Sequence, residues 1–444
     1  MFYLDKNKNL PLYRQLGDGI ALKIISGEIL ADTKLPAIRA LAEALEVNNT
    51  TIIAAYKYLE QQRLVYSVRG SGTYAAKTAA SVFDKAEPEM PVTFNFGDMT
   101  PDPAYFPTKA MRHAFDAVLE RDGARAFDYP GWRGYEPLRE VLNEFLTKTG
   151  VTSHTQDIQI IPNINQGLEI VAEGLLKPGD TVLMERPSTQ DAAAIFASCG
   201  ARIVEIPIEH GEPDLDKLKT LTKKHRAKLF FLMPTYQIPT GICYTDKAKA
   251  EILRTAYASG AYIIEADSYG DLYYTAKPLP IKAIDDLGHV IYIKSFDRVL
   301  APGLLNFMCH SKEVTSRFQN RSQTSGYIQR SLDHYLREGG FSEHLVYLRG
   351  RYARRYRKML AVLEAYLSPF ASYIIPDGGL SFWITPHRPF DYAEEFFARK
   401  VLVAPGKLFM GGDAPHFRVS FAYMPEERIL EGMGIIASVL ANRS

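Results

Sequence analysis

The chain has 444 residues, with 52 Lys+Arg against 51 Asp+Glu, 46% hydrophobic and 23% charged side chains. This excludes a disordered or fibrous protein and fits two or three domains of roughly 100–200 residues each. Its net charge of +1 gives no sign of a chain-wide nucleic-acid or membrane binder. No apolar run nears the ~18–20 residues needed to cross a bilayer, and the start lacks the basic-then-apolar order of a secretory signal. Cys199, Cys243 and Cys309 are odd in number and lack CxxC spacing. They are expected to be buried thiols of a cytoplasmic protein.

Charge becomes informative once the chain is divided. Residues 1–80 hold ten basic and seven acidic side chains, a net of +3, and the remainder carries a net of −2. The division comes from residues 77–92, where small, charged and Pro residues show no sustained apolar period. They read as an exposed linker between a domain over 1–76 and a larger one over 93–444.

Pro11 suits the first turn of a helix, and Leu12, Leu16, Ile20 and Ile24 continue it as an apolar stripe. Ile38, Leu41, Ala42 and Leu45 line a short second helix. Glu46-Val47-Asn48 is a tight connection, after which Asn49 or Thr50 is expected to cap a third helix that buries Ile52, Ile53, Tyr56 and Leu59. Two short helices so joined form a helix-turn-helix, whose second helix enters the major groove. Leu64–Val68 and Thr73–Ala75 then flank Arg69-Gly70-Ser71-Gly72 as a hairpin with a glycine tip.

From Phe94 onward short apolar runs alternate with helical patterns. Val182–Met184, Arg202–Ile206, Leu229–Leu232, Tyr262–Ile264 and Val290–Ile293 read as buried strands; Gly167–Leu176, Asp191–Cys199 and Asp246–Ala258 read as helices. The alternation predicts a mostly parallel sheet covered on both faces. Ligands bind such sheets beyond the carboxyl ends of the strands, here near Pro234–Gly241, Asp267–Asp271 and Ser295–Gly303.

The text from Pro11 to Tyr74, including LPAIRALA, NNTTIIAAYKYLE and GSGT, resembles the winged helix-turn-helix of the GntR family of bacterial regulators. The resemblance implies DNA contacts from Arg39, Asn48, Asn49, Thr50, Thr51, Arg69, Gly70, Ser71 and Gly72. Asn49 stands where the family usually has a basic residue. Asn pairs bidentately with adenine where Arg favours guanine, so an altered operator is expected. A winged helix used only for protein contacts is the alternative.

The larger segment resembles the fold-type I aminotransferases. PTYQIPTG at 234–241, EADSYGDL at 265–272 and SFDRVLAPGL at 295–304 are similar to the PTG turn, the EDDPYGEL segment and the SFSKTLAPGL segment of that family. YPGWRGYEPLR, KPGD, PDGG, APG and FRVSF extend the match over nearly all of 94–444. The implied fold is an α/β domain with a smaller C-terminal α+β subdomain over about 330–444. A GntR reader on this scaffold is the architecture of the MocR-type regulators, whose aminotransferase-like domain senses a small molecule and dimerises.

Pyridoxal phosphate is the family's cofactor, and it needs a lysine for the Schiff base and an acid at the pyridine nitrogen. By the resemblance the lysine position is Arg298, which stays protonated and cannot attack an aldehyde. The acid position is Ala266. Asp267 is adjacent but belongs to the other face of its strand. Leu305 replaces the phosphate arginine, Asn163-Ile164-Asn165 the phosphate cradle, and Thr189 the ring-stacking aromatic. Lys294 and Lys407 are the alternative lysines. Tyr269, Ser295 and Arg418 are retained, the last resembling the arginine that grips a substrate α-carboxylate; pairing with a structural carboxylate is the other reading.

The expectation is a cytoplasmic, homodimeric transcriptional regulator of promoter DNA, with no bound cofactor, no catalytic residue and no metal site. Its effector pocket is expected to hold a small carboxylate or phosphate among Asn163, Thr189, Tyr236, Asp267, Tyr269, Ser295, Arg298 and Arg418. The alternatives are a working pyridoxal phosphate-dependent aminotransferase or cofactor-responsive regulator, and a pseudoenzyme that only dimerises the DNA readers.

Overall fold

The computed structural model describes residues 11–442 apart from 26–28, 30, 31, 46, 62, 63, 69, 70, 77–91, 210, 316, 319–323 and 412–414. It divides into two compact units, Met1–Pro91 and Val92–Ser444. The expected linker falls, except for Val92, outside the described residues.

In the first unit α1 (Leu12–Ile25), α2 (Ile38–Ala44) and α3 (Asn49–Gln61) form a three-helix core. Leu16, Ile20, Ile24, Leu41, Ile52, Tyr56 and Leu59 fill it. The Tyr56 hydroxyl donates to the Pro36 carbonyl at 2.8 Å, tying α3 to the entry of α2. Two expectations shift here. Ile53 is 49% exposed, because Ile52, Ala55, Tyr56 and Leu59 already make one stripe and Ile53 lies ~100° around the helix from Ile52. The helix also begins at Asn49 itself, so both cap candidates, Asn49 and Thr50, lie inside it, and the Asn48 carbonyl accepts from the Thr51 N–H.

Strands β1 (Val65–Val68) and β2 (Gly72–Ala75) pair antiparallel, from Val65 opposite Ala75 to Val68 opposite Gly72. Stacked Tyr66 and Tyr74 stiffen this hairpin, and the Tyr66 hydroxyl donates to Asp32 at 2.8 Å. Gly72 has φ +134°, and a Cβ there would meet the Lys34 side chain at 2.9 Å. The tip therefore requires glycine.

The second unit runs through α4 (Thr108–Asp122), β3 (Ile158–Ile161), α5 (Ile164–Leu175), β4 (Thr181–Arg186), α6 (Gln190–Ser198), β5 (Arg202–Glu209) and β6 (Glu212–Pro213). It continues with β7 (Leu229–Leu232), α7 (Asp246–Ser259), β8 (Tyr262–Asp267), β9 (Val290–Ser295), β10 (Asn306–Cys309), α8 (Gly326–Arg337) and α9 (Gly340–Val362). The eight-stranded sheet has the order β3-β10-β9-β8-β7-β4-β5-β6. Its centre, β9-β8-β7-β4-β5, is parallel, and β10 and β6 pair antiparallel with their neighbours. The five strands expected from the sequence are this parallel centre. The flanking β3 and β10, four residues each, are not among them; Gln159 and Asn306 interrupt their apolar runs.

Strand alternation decides what each face holds. Met184, Phe231, Ile264, Ala266, Ile291 and Ile293 pack against Leu168 and Val171 of α5 and Ala192 and Phe196 of α6. Phe230, Leu232, Ile263 and Val290 pack on the other face against Ile252 and Leu253 of α7. The C-terminal part adds an antiparallel four-stranded sheet of β11 (Ala371–Tyr373), β12 (Ser381–Pro386), β13 (Ala404–Pro405) and β14 (Phe417–Ser420). It packs with α9 and α10 (Glu426–Ala441) in the largest apolar cluster. No helix among the described residues is long and apolar enough to cross a membrane.

Candidate functional site

The segments after β7, β8 and β9 meet at the carboxyl ends of the parallel strands. The turn after β7 is held by Gln237, whose Nε2 donates to Glu185 at 3.1 Å and to the Pro187 carbonyl at 2.7 Å. The Gln237 Oε1 accepts from the Thr240 N–H and hydroxyl. Glu185, at the end of β4, also accepts from the Met233 N–H and the Tyr244 hydroxyl. Burial pushes its carboxyl up to about 7, against the pull of these hydrogen bonds. Sequence reading missed this network; the only available signal was an acid ending an otherwise apolar run. The turn presents Tyr236 at φ +54°, its ring over Gly378, where a Cβ would lie 2.2 Å from the ring. The buried Tyr236 hydroxyl has no hydrogen-bond partner.

At the ends of β8 and β9 the two sheet faces carry different chemistry. Ala266 pairs across the ladder with Ile293, and both lie in the apolar cluster under α5 and α6. Asp267 pairs with Lys294 and belongs to the opposite face. The Lys294 Nζ lies 2.9 Å from Asp267 and 2.8 Å from Asp271, with all three side chains buried. Lys277 adds a second cation on Asp271 at 2.6 Å. Asp267 also accepts from the Tyr292 hydroxyl and from the N–H groups of Tyr269 and Gly270. Burial alone would drive Asp271 up, but Lys294 and Lys277 hold it down at about 2. Burial likewise opposes the charge on Lys294, and the two aspartates more than offset it, raising the ammonium above its usual range.

This geometry removes two expectations. Asp267, expected in the effector pocket, is committed to Lys294 on the far face of the sheet. Lys294, weighed as a substitute Schiff-base lysine, is a buried cation with two carboxylates, not a free amine. Lys407 is half exposed and faces Asp391 at 3.3 Å.

On the pocket side, Arg418 projects from β14. Its Nη2 donates to the Gly97 carbonyl at 2.7 Å, and the guanidinium lies 5.2 Å from the Phe409 ring centroid. The Nε is buried and unpartnered, and no carboxylate among the described residues lies within ion-pair distance. Burial lowers Arg418 to about 10; Arg298 pushes the same way, while Tyr269 and Asp98 oppose it. Arg298 is half buried, and the buried Tyr269 hydroxyl has no partner. The structural-carboxylate reading of Arg418 thus finds no ion pair among the described residues, only the weaker pull of Asp98. Buried, unpaired guanidinium bonds are costly unless an anion completes them.

The remaining pocket positions are arranged by helix starts. Asn163 caps α5, its side-chain oxygen accepting from the Gln166 N–H at 2.9 Å. Its carboxamide thus satisfies a helix N-terminal donor that an anion would otherwise use. Thr189 precedes α6 without a side-chain cap bond, and neighbouring Ser188 has a buried, unpartnered hydroxyl. Ser295 is turned inward, its hydroxyl accepting from the Asp297 N–H at 3.1 Å. Leu305 is fully buried in apolar surroundings.

In the first unit Arg39, Asn48, Asn49 and Thr51 line one shallow concavity together with Leu12, Ala42, Glu43 and Val47. Arg39, Asn48, Asn49 and Thr50 are exposed and Thr51 is half buried, at the start of α3. Ser71 and Gly72 are exposed or nearly so at the hairpin tip; Arg69 and Gly70 lie outside the described residues. The geometry is that of a helix N-terminus and a turn offered together to a groove.

Residues 92–436 match the family described as aminotransferase class I and II, and residues 12–75 match the bacterial regulatory proteins, gntR family. The chain is 27% identical to the uncharacterized HTH-type transcriptional regulator YisV of Bacillus subtilis, over 94% of each chain. It is 26% identical to the probable rhizopine catabolism regulatory protein MocR of Rhizobium meliloti, over 86% of this chain and 83% of that one. Among solved structures it is similar to the alpha-aminoadipate aminotransferase LysN of Thermus thermophilus, with 28% identity, a TM-score of 0.72, and coverage of 79% of this chain and 92% of that one. The chain belongs to the aminotransferase class I and II family, in the MocR-type arrangement that places a gntR-family helix-turn-helix domain ahead of that scaffold.

Proposed function

We propose that this protein is a cytoplasmic, homodimeric transcriptional regulator whose aminotransferase-like unit binds a small carboxylate or phosphate without Schiff-base chemistry. The observation that carries the reading is Arg418: a buried guanidinium with an unpartnered Nε and no described carboxylate beside it, next to Arg298. The repulsion that Arg298 adds at Arg418 would favour an anion held by charge-assisted hydrogen bonds.

Pyridoxal phosphate does not fit this set of residues as a covalently held cofactor. Arg298 cannot form an imine, Ala266 offers a methyl group where the ring nitrogen needs an acid, and the Asn163 side chain already caps α5. The DNA reading is supported by the gntR-family match and by the shared concavity of Arg39, Asn48, Asn49 and Thr51.

The test has two arms on the full chain. Thermal unfolding against mono- and dicarboxylates and inorganic phosphate is expected to show a rise that Arg418→Gln abolishes, since a ligand at 100 Kd adds about 2.7 kcal/mol. Binding to DNA from upstream of its own gene is expected at low salt and to weaken steeply as salt rises. Absence of DNA binding at low salt would defeat the regulator reading. A lysine pyridoxyl adduct fixed by borohydride after incubation with pyridoxal phosphate would favour the aminotransferase reading instead.

A further inference from the structure

Away from both sites, α4 and α8 lie side by side, and a third polar constellation forms at the C-terminal end of α8. His334 and Glu338 sit four residues apart, on one face of that end, with Glu338 as the helix C-cap. His113 of α4 faces them, its ring centroid 5.7 Å from that of His334. The Glu338 Oε1 lies 3.2 Å from the His334 Nε2 and 3.6 Å from the His113 Nε2. One ligand atom from each residue falls within 4.8 Å of the others. Yet the His334 Nε2 is buried and makes no hydrogen bond, even to that carboxylate. Two imidazole nitrogens and a carboxylate oxygen are thus gathered at ligand spacing without a hydrogen bond to fix His334 Nε2.

We propose that His113, His334 and Glu338 form a binding site for a divalent transition-metal ion of the Zn2+ class, with solvent at the fourth position. The spacing carries the assignment. Zinc–nitrogen and zinc–oxygen bonds of ~2.0–2.2 Å at tetrahedral angles separate neighbouring ligand atoms by about 3.3–3.6 Å. The two distances to Glu338 bracket that interval, and His113 is exposed enough to complete the third edge by a side-chain turn. Two imidazoles and one carboxylate suit Zn2+, Co2+ or Ni2+ better than Mg2+ or Ca2+.

The setting favours a cation. A helix C-terminus carries partial negative charge, and both arginines of α8 are already paired, Arg330 with Asp122 at 3.3 Å and Arg337 with Asp333 at 2.7 Å and Glu140 at 3.3 Å. Lys109 and Arg112 flank His113 on α4 and are the opposing charges. The chain turns just beyond Glu338 through Gly339, at φ +80°, into α9. The metal therefore staples α4 to the point where α8 hands over to the long helix of the C-terminal part.

The experiment uses the full-length, tag-free protein, stripped with EDTA and titrated with Co2+ while visible absorption is followed. The expected result is one saturable Co2+ per chain with tetrahedral d–d bands, lacking a thiolate charge-transfer band and displaced by Zn2+. His113→Gln and His334→Gln are each expected to weaken binding by roughly tenfold or more, and Zn2+ is expected to raise the unfolding temperature of the parent only. Lack of saturable uptake by the parent, or uptake unchanged by His113→Gln, overturns the proposal. His113 is exposed, so its variant decides the matter even if His334→Gln fails to fold.

Discussion

The two faces of the sheet at β8 and β9 differ by one residue of register and by nearly everything in chemistry. On the face under α5 and α6, Ala266 and Ile293 are apolar; outside this sheet, Arg418 of β14 has a buried Nε without a hydrogen-bond partner. One residue along, Asp267 and Lys294 meet in a buried ion network with Asp271, Lys277 and Tyr292. Charge on one face is fully compensated and structural; beyond the other, the Arg418 guanidinium keeps a buried, unpartnered Nε. A sequence window of two residues contains both, and only strand alternation separates them.

The largest effect should come from breaking the compensated face. Lys294→Met leaves Asp267 and Asp271 buried with one cation between them, and is expected to cost about 3–5 kcal/mol in urea or thermal unfolding. Arg298→Gln, in the turn beyond the end of β9 and half buried, is expected to change stability by no more than ~0.5 kcal/mol. If the two variants were equally destabilising, the contrast between the faces would be wrong.

Acid–base behaviour sharpens the same contrast. Burial raises Glu185 and Glu265 to about 7. Their contribution to stability is therefore full below the unfolded-state value of ~4.3 and is lost as pH rises toward 7. Asp271 is held at about 2, so its contribution is present above ~3.9 and is lost as pH falls toward 2. Glu185→Gln is expected to flatten the decline in unfolding temperature between about pH 4.5 and 7.5 and leave the acid limb unchanged. An unaltered slope would place Glu185 outside that titration.

On the ligand face, Arg418→Gln is expected to abolish the ligand-induced rise in unfolding temperature with little cost to the ligand-free protein. A large ligand-free loss would restore a purely structural role for Arg418. The smallest effect belongs to the DNA reader: Arg39→Ala should lower the slope of log affinity against log salt by about 0.9, the share of one phosphate contact. An unchanged slope, measured by fluorescence anisotropy, would move Arg39 off the backbone.

Much of the fold was legible because period and punctuation agree with tertiary packing. The three helices of the reader, its hairpin and the parallel strands of the large unit follow apolar spacing and turn residues within three residues. Ile53 was misread because a β-branched residue beside a true core position cannot be assigned to a face without knowing the stripe's centre. The pocket was less legible. Arg298 and Ala266 can be read by aligned motifs, but the unpartnered Nε of Arg418 is a fact about what is absent around it. The His113, His334 and Glu338 cluster had only a faint signal, a His-x-x-x-Glu pair on one helix, because its third member lies on another helix far away in the chain.

The sequence by itself determined the two-part organisation, the helix and strand periods, and the identity of side chains at each motif position, since these depend on local spacing and covalent order. Tertiary structure alone decided which charges are spent and which are free. Asp267, Lys294 and Arg418 are chemically ordinary until one sheet sends the first two to a shared face and another buries the third without an ion pair, and desolvation then sets what each charge costs.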